Sequence, residues 1–163
     1  DEEFKEVERN IIGQICVRGK NVMNEYYKNP IETKKSFHDD WLLTGDLGLM
    51  DSDNFVFVKG RIKELIIKGG ENISPREIDD VLYQHPDVLE AAAFGDDCSH
   101  YGETVKAGVV LKNKHSVNEK DLIEHCSKTL GKFKSPDNIY FFDELPKGSS
   151  GKIQRLKIKD QIK

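Results

Sequence analysis

Hydrophobic and polar positions follow two regimes along this chain. Up to about Arg61 the apolar residues come in short runs rich in β-branched and aromatic side chains, Ile11–Val17 (IIGQICV) and Phe55–Val58 (FVFV). Such runs suit a pleated, half-buried surface and predict strands. Between them lie the turn-formers Asn29-Pro30, Thr44–Asp46 (TGD) and Asp51–Asn54 (DSDN), so residues 1–61 read as a small β-rich piece. From Ile62 the pattern changes. The apolar run Leu65–Ile67 meets Gly69-Gly70, and Ser74–Glu77 (SPRE) then opens a helix. Ser74 and Glu77 stand at capping-box spacing, Pro75 takes the first helical position, and Ile78, Val81 and Leu82 fall on one face.

Two strands are predicted next, Val88–Phe94 and Thr104–Leu111, separated by a loop over Gly95–Gly102. A second helix is predicted from Asn118 to Leu130, with Leu122, Ile123, Cys126 and Leu130 at core spacing and Gly131 as its stop. A third strand, Ile139–Phe142, precedes a glycine and serine loop over Pro146–Gly151, and Ile153–Lys163 predicts a short helix. Together these elements predict an α+β fold, in which the β-rich piece over 1–61 is followed by a compact domain over 62–163. In that domain a short sheet is covered by two or three helices. Trp41 and the phenylalanines Phe55, Phe57, Phe94, Phe133, Phe141 and Phe142 are expected in the core, not as a stacking platform.

Composition narrows the classes open to the chain. Its 163 residues, 37% hydrophobic and 33% charged, suffice for one modest core, or for a small domain with part of a neighbour. A net charge of -4 with a pI near 5.8 gives no long electropositive field for nucleic acid or anionic lipid. Any basic site must be local. Cys16, Cys98 and Cys126 are odd in number and lack C-x-x-C spacing, which argues for reduced intracellular thiols over a disulfide framework or a zinc ribbon. No apolar run approaches the roughly 20 residues that span a bilayer. The opening Asp1–Lys5 (DEEFK) lacks the layout of a signal peptide, so a cytoplasmic protein is expected. Both ends read as those of a piece of a longer chain. His38, His85, His100, His115 and His125 are scattered without metal-ligand spacing, and no metal site is expected. No G-x-S-x-G elbow is present, which argues against an independent hydrolase.

The most informative stretch is Leu145–Arg155 (LPKGSSGKIQR), in which Lys152 follows a glycine and serine loop. Such a loop is expected to be mobile, and the lysine at its end is a charge that can be delivered and withdrawn. It is not a phosphate loop of the G-x-x-x-x-G-K-[ST] type, because Gly148 and Gly151 are too close and Ile153 replaces the hydroxyl residue.

Trp41–Asp46 (WLLTGD), Lys59–Glu64 (KGRIKE), Lys68–Ile78 (KGGENISPREI) and the Lys152 loop follow one another in an order and spacing that resemble the adenylate-forming enzyme superfamily. Within it they are most similar to the acyl- and aryl-coenzyme A synthetase branch, and the resemblance runs from Gly13 to Arg155. The run Asn21–Thr33 also looks like the family's pattern, except that Glu25 stands where a glycine is usual. The resemblance implies that residues 1–61 end a large adenylation domain and that 62–163 form its mobile carboxyl-terminal lid. It implies that Asp46 and Arg61 bind the ribose hydroxyls of ATP, that Lys63 is the hinge, that Gly69 and Gly70 border the coenzyme A channel, and that Lys152 is catalytic. ATP, magnesium held mainly by the large domain, and coenzyme A are the implied cofactors, and a carboxylic acid the implied substrate. The rival readings are an amino-acid-activating domain feeding a carrier protein and a non-catalytic binding module of the same fold. A third is a nucleic-acid binder using Lys147, Lys152, Arg155, Lys157, Lys159 and Lys163.

Overall fold

A computed structural model describes residues 1–114 and 116–162; His115 and Lys163 lie outside the described residues. The chain divides into two compact units, Asp1–Lys63 and Glu64–Lys163.

In the first unit the β-branched runs form strands as their composition dictates. β1 (Gly13–Val17), β2 (Phe37–His38) and β4 (Val56–Arg61) all pair antiparallel with β3 (Trp41–Met50). Two expectations fail here. Asn29-Pro30 is not a plain turn but the start of α1 (Pro30–Ser36), with the Asn29 side chain accepting a hydrogen bond from the backbone N–H of Glu32 at 3.1 Å. Thr44–Asp46 is not a turn between strands either. It lies inside β3 as a bulge, since Gln14 pairs with Leu47 while Cys16 pairs with Leu43, which leaves three residues of β3 opposite Ile15. Gly45 takes φ +74° there, a conformation that costs glycine little.

The second unit is built on one sheet of five strands, β5 (Ile66–Lys68), β6 (Glu71–Ile73), β7 (Val88–Cys98), β8 (Gly102–Leu111) and β9 (Asn138–Phe141). The order is β6-β5-β8-β7, with β9 pairing parallel to β8. Both faces are covered, which is why residues 91–94 and 107–111 read as continuous apolar runs instead of an alternation. Ala91, Ala93, Val105, Ala107 and Val109 face a core completed by Ile78, Val81 and Leu82 of α2 (Pro75–Leu82) and by Leu122 and Cys126 of α3 (Glu119–Lys134). Ala92, Phe94 and Val110 point the other way, onto Leu145 and Ile158 of the carboxyl-terminal segment. Gly108 makes that second layer possible, since a Cβ there would lie 3.0 to 3.1 Å from Leu145, Ile158 and Phe142. Burial at Cys126 pushes its thiol up to about 11.

The expected loop 95–102 is mostly strand. β7 and β8 pair in register out to Cys98 and Gly102, and the charges that looked like loop residues lie across the ladder, with Lys106 2.6 Å from Asp96. The hydrogen bond from Lys106 holds the Asp96 carboxyl below the usual carboxylate range. The helix expected over 153–163 is instead two 3-10 turns, Arg155–Lys157 and Lys159–Gln161, closed by i to i+3 bonds. Gly131 has φ +75° and interrupts α3 before its last turn. Ser74 is the N-cap of α2 but its side chain makes no capping hydrogen bond, and the Glu77 carboxylate accepts from Lys134 at 3.0 Å.

The aromatic core was overestimated. Phe94 is buried at 2% exposure, but Trp41, Phe55, Phe57, Phe133 and Phe141 are each at least 40% exposed. β4 pairs with β3 and is largely exposed along its length, while Phe133 follows the Gly131 break and so leaves the buried face of α3.

Candidate active-site elements

Two of the expected site residues meet in the first unit. Asp46 and Arg61 are register partners on β3 and β4, and the Arg61 Nε–H donates to Asp46 Oδ1 at 2.9 Å. The bulge fixes Asp46, whose backbone N–H donates to the Thr44 hydroxyl at 3.1 Å while that hydroxyl donates to the Ile15 carbonyl at 2.7 Å. The result is a carboxylate and a guanidinium presented side by side at a partly exposed position. Such a pair can accept from and donate to neighbouring hydroxyls.

Lys63 lies in the exposed 3-10 turn Ile62–Glu64, the last residue before the chain passes into the second unit. Gly69 and Gly70 form the tight β5–β6 turn with φ +57° and +84°. Conformation, not space, is what asks for glycine there, since a Cβ on Gly70 would meet nothing within 4 Å and one on Gly69 would make only ordinary contacts. The Gly69 N–H donates to the Tyr101 carbonyl at 2.8 Å, and a Cβ on Gly69 would lie 3.4 Å from the Tyr101 ring and 3.9 Å from Phe133. Two partly exposed aromatic rings thus flank the turn, which sequence reasoning had not associated with it. Beneath them Lys68, 5% exposed, donates to Asp137 Oδ2 at 2.9 Å and lies 5.4 Å from the Phe133 ring centre. Thr104 donates to the same carboxylate oxygen. Burial works against the Asp137 charge, yet the Thr104 and Lys68 hydrogen bonds prevail and hold its carboxyl below the usual range. A signal for Lys68 was present: Ile66 faces in, Ile67 faces out, and the strand period of two returns Lys68 to the buried side.

Lys152 sits at the exit of a closed hairpin, not of a slack loop. Lys147 and Ile153 form a β-bridge, the Gly148 N–H donates to the Lys152 carbonyl at 2.9 Å, and the Gln154 N–H donates to the Pro146 carbonyl at 2.7 Å. Gly151 turns the chain at φ +77°. Lys147 pairs with Glu90 of β7 at 2.7 Å, and Leu145 and Ile153 belong to the second hydrophobic layer. The Lys152 side chain itself is exposed. The hairpin rests on β7, whereas the diglycine turn is held by β8 and the end of α3.

Among the described residues no three His, Cys, Asp or Glu side chains converge as metal ligands. No helix of the described residues is long and apolar enough to cross a membrane.

Residues 77–152 match the family model described as the AMP-binding enzyme C-terminal domain. The chain is 50% identical over 148 residues to the sulfoacetate–CoA ligase of Cupriavidus necator, covering 90% of this chain and 29% of that protein. It is 45% identical over 148 residues to the oxalate–CoA ligase of Arabidopsis thaliana, covering 91% and 29%. Among solved structures, the o-succinylbenzoate CoA synthetase from Bacillus subtilis in complex with its acyl-adenylate intermediate superposes with a TM-score of 0.88 at 38% identity, over 94% of this chain and 31% of that one. The chain spans 29% of the length of the two curated relatives. Both the sequence motifs and the architecture therefore place it in one group: the chain belongs to the AMP-binding, adenylate-forming enzymes, of which it carries the C-terminal domain.

Proposed function

We propose that this chain is the carboxyl-terminal part of an AMP-forming acyl-coenzyme A synthetase. That enzyme activates a carboxylic acid with ATP to an acyl-adenylate and transfers the acyl group to coenzyme A. The observation that carries this reading is an exposed ammonium group, Lys152, at the exit of a fixed hairpin within a domain of this family. A carboxylate attacking the α-phosphorus of ATP brings two anions together, and a lysine between them offsets the charge that concentrates in the transition state. Asp46 and Arg61 hold the ribose hydroxyls. The second unit then turns about Lys63, withdraws Lys152 and presents Gly69-Gly70, where a backbone without Cβ atoms lets the thin pantetheine arm pass. Magnesium, which neutralises phosphate charge when bound, is held by residues of the larger domain.

The acid is chosen by that larger domain. Fatty or aryl acids are our preferred class, and short, strongly anionic acids are the alternative that the relatives named for sulfoacetate and oxalate favour. Three of the six basic residues behind the nucleic-acid reading are engaged by acids, Lys147 by Glu90, Lys159 by Asp96 and Arg155 by Asp79, which weighs against it.

The full-length protein should catalyse pyrophosphate exchange into ATP that depends on an added carboxylic acid, followed by coenzyme A-dependent release of AMP. Exchange without any response to coenzyme A, but with transfer to a carrier-bound pantetheine, would favour the amino-acid-activating reading. In the same assay Lys63→Pro, which fixes φ and restricts Ile62 before it, should slow the passage from adenylate to thioester more than adenylate formation itself. Unchanged turnover in both steps would remove the hinge from Lys63.

A further inference from the structure

Arg155 lies three residues beyond Lys152, and its guanidinium is gripped on three sides. Its Nε–H donates to Glu64 at 3.1 Å, and its two terminal nitrogens donate to the two oxygens of Asp79 at 3.2 and 2.7 Å. One of them also donates to the Ala93 carbonyl. Asp79 in turn accepts the Ala93 N–H at 2.6 Å, so the carboxylate is held by strand and guanidinium together. The pair is buried, with side-chain exposures of 15% for Arg155 and 11% for Asp79. The fork needs a planar guanidinium, because a lysine ammonium could reach one oxygen but not both in this geometry.

What these contacts join is more informative than their number. Asp79 belongs to α2, Ala93 to β7, and Glu64 is the first residue of the second unit, immediately after Lys63. Three residues of extended chain reach no more than about 11 Å, so Lys152 stays near whatever holds Arg155. The hairpin's entry is held separately, through Lys147 on Glu90 and the burial of Leu145. Its exit is therefore held at Arg155, by the residue that follows the proposed pivot and by the two elements that form the body of the unit.

We propose that Arg155 is the positioning residue that makes Lys152 turn as one body with the second unit, with Glu64 and Asp79 as its anchors. This rests on the acyl-adenylate reading of Lys152. Without the clamp the hairpin stays docked through Leu145, Ile153 and Ile158, but the lysine samples positions around the attacking carboxylate instead of one.

The test uses the full-length enzyme and single-turnover measurement of each half-reaction, adenylate formation and thioester formation from supplied acyl-adenylate. Arg155→Gln should slow adenylate formation ~30- to 100-fold, the scale of a displacement of about 1 Å, and change thioester formation less than ~3-fold. Arg155→Lys should recover little, since it keeps the charge and loses the fork. Glu64→Gln, which leaves the Asp79 fork in place, should slow adenylate formation ~3- to 10-fold by the same misplacement. Equal losses in both half-reactions would assign Arg155 a structural role only and overturn the proposal. If Arg155→Gln fails to fold, Glu64→Gln decides alone, and normal adenylate formation in it overturns the proposal. Lys152→Ala is run alongside. If it leaves adenylate formation intact, the reading of Lys152 fails; if it abolishes that step while Arg155→Gln and Glu64→Gln do not slow it, only the positioning role fails.

Discussion

Lys152→Ala in the full-length protein should lower acyl-adenylate formation by ~10²- to 10³-fold while thioester formation from supplied acyl-adenylate keeps most of its rate. The magnitude follows from Coulomb's law. A single charge pair near 4 Å at an effective dielectric of about 20 is worth roughly 4 kcal/mol, from which the cost of drying an exposed ammonium must be subtracted. The asymmetry follows from mechanism, because thiol attack on the mixed anhydride no longer brings two anions together. Lys152→Arg is the informative companion. It keeps the charge but adds a plane and a longer reach, so a full rescue would mean that charge alone matters. Equal loss in both half-reactions would count against the assigned role.

The largest expected effect on stability belongs to Phe94→Ala, at about 3 to 5 kcal/mol, the range for removing a fully buried phenyl ring. Phe94 is 2% exposed and lies between the sheet and the segment carrying Leu145 and Ile158. In a unit of about 100 residues each kcal/mol moves the midpoint by ~4 to 8 °C, so a fall of roughly 15 °C or more is expected in thermal unfolding followed by circular dichroism. Phe57→Ala, at a site 48% exposed, should move it by only a few degrees, since less area leaves water. Equal shifts for the two would mean that the second hydrophobic layer contributes little. The variant should also loosen the Lys152 hairpin, because Leu145 and Ile153 pack in the same layer.

How far the sequence carried can be judged residue by residue. Pro75 after Ser74 marked α2 to within a residue, and Asn118 and Gly131 bracketed all but the last turn of α3, because caps and breakers are local signals. Asn29-Pro30 carries the same cap signal at the start of α1, but the same two residues are also common turn-formers. The extension of β7 and β8 through Asp96, Asp97 and Glu103 was not legible. Charged residues look like loop until their cross-strand partners are known, and partners depend on register. Among the site residues, the Asp46–Arg61 contact needs the β3–β4 register, which shifts between Leu47 and Gly48. The motif could suggest two nucleotide-binding residues but not that they touch. The Arg155 clamp and the Tyr101 and Phe133 rings beside Gly69 join positions 32 to 91 residues apart, a separation that no local pattern encodes.

Two of the three thiols of the chain differ in accessibility. Cys98, at the tip of the β7–β8 hairpin, has its acidity increased by hydrogen bonds from the backbone N–H groups of Tyr101 and His100, whereas Cys126 is sealed under α3. An alkylating reagent added in a brief pulse therefore reads two clocks at once: one ticks with the surface, and the other starts only when the helix lifts from the sheet.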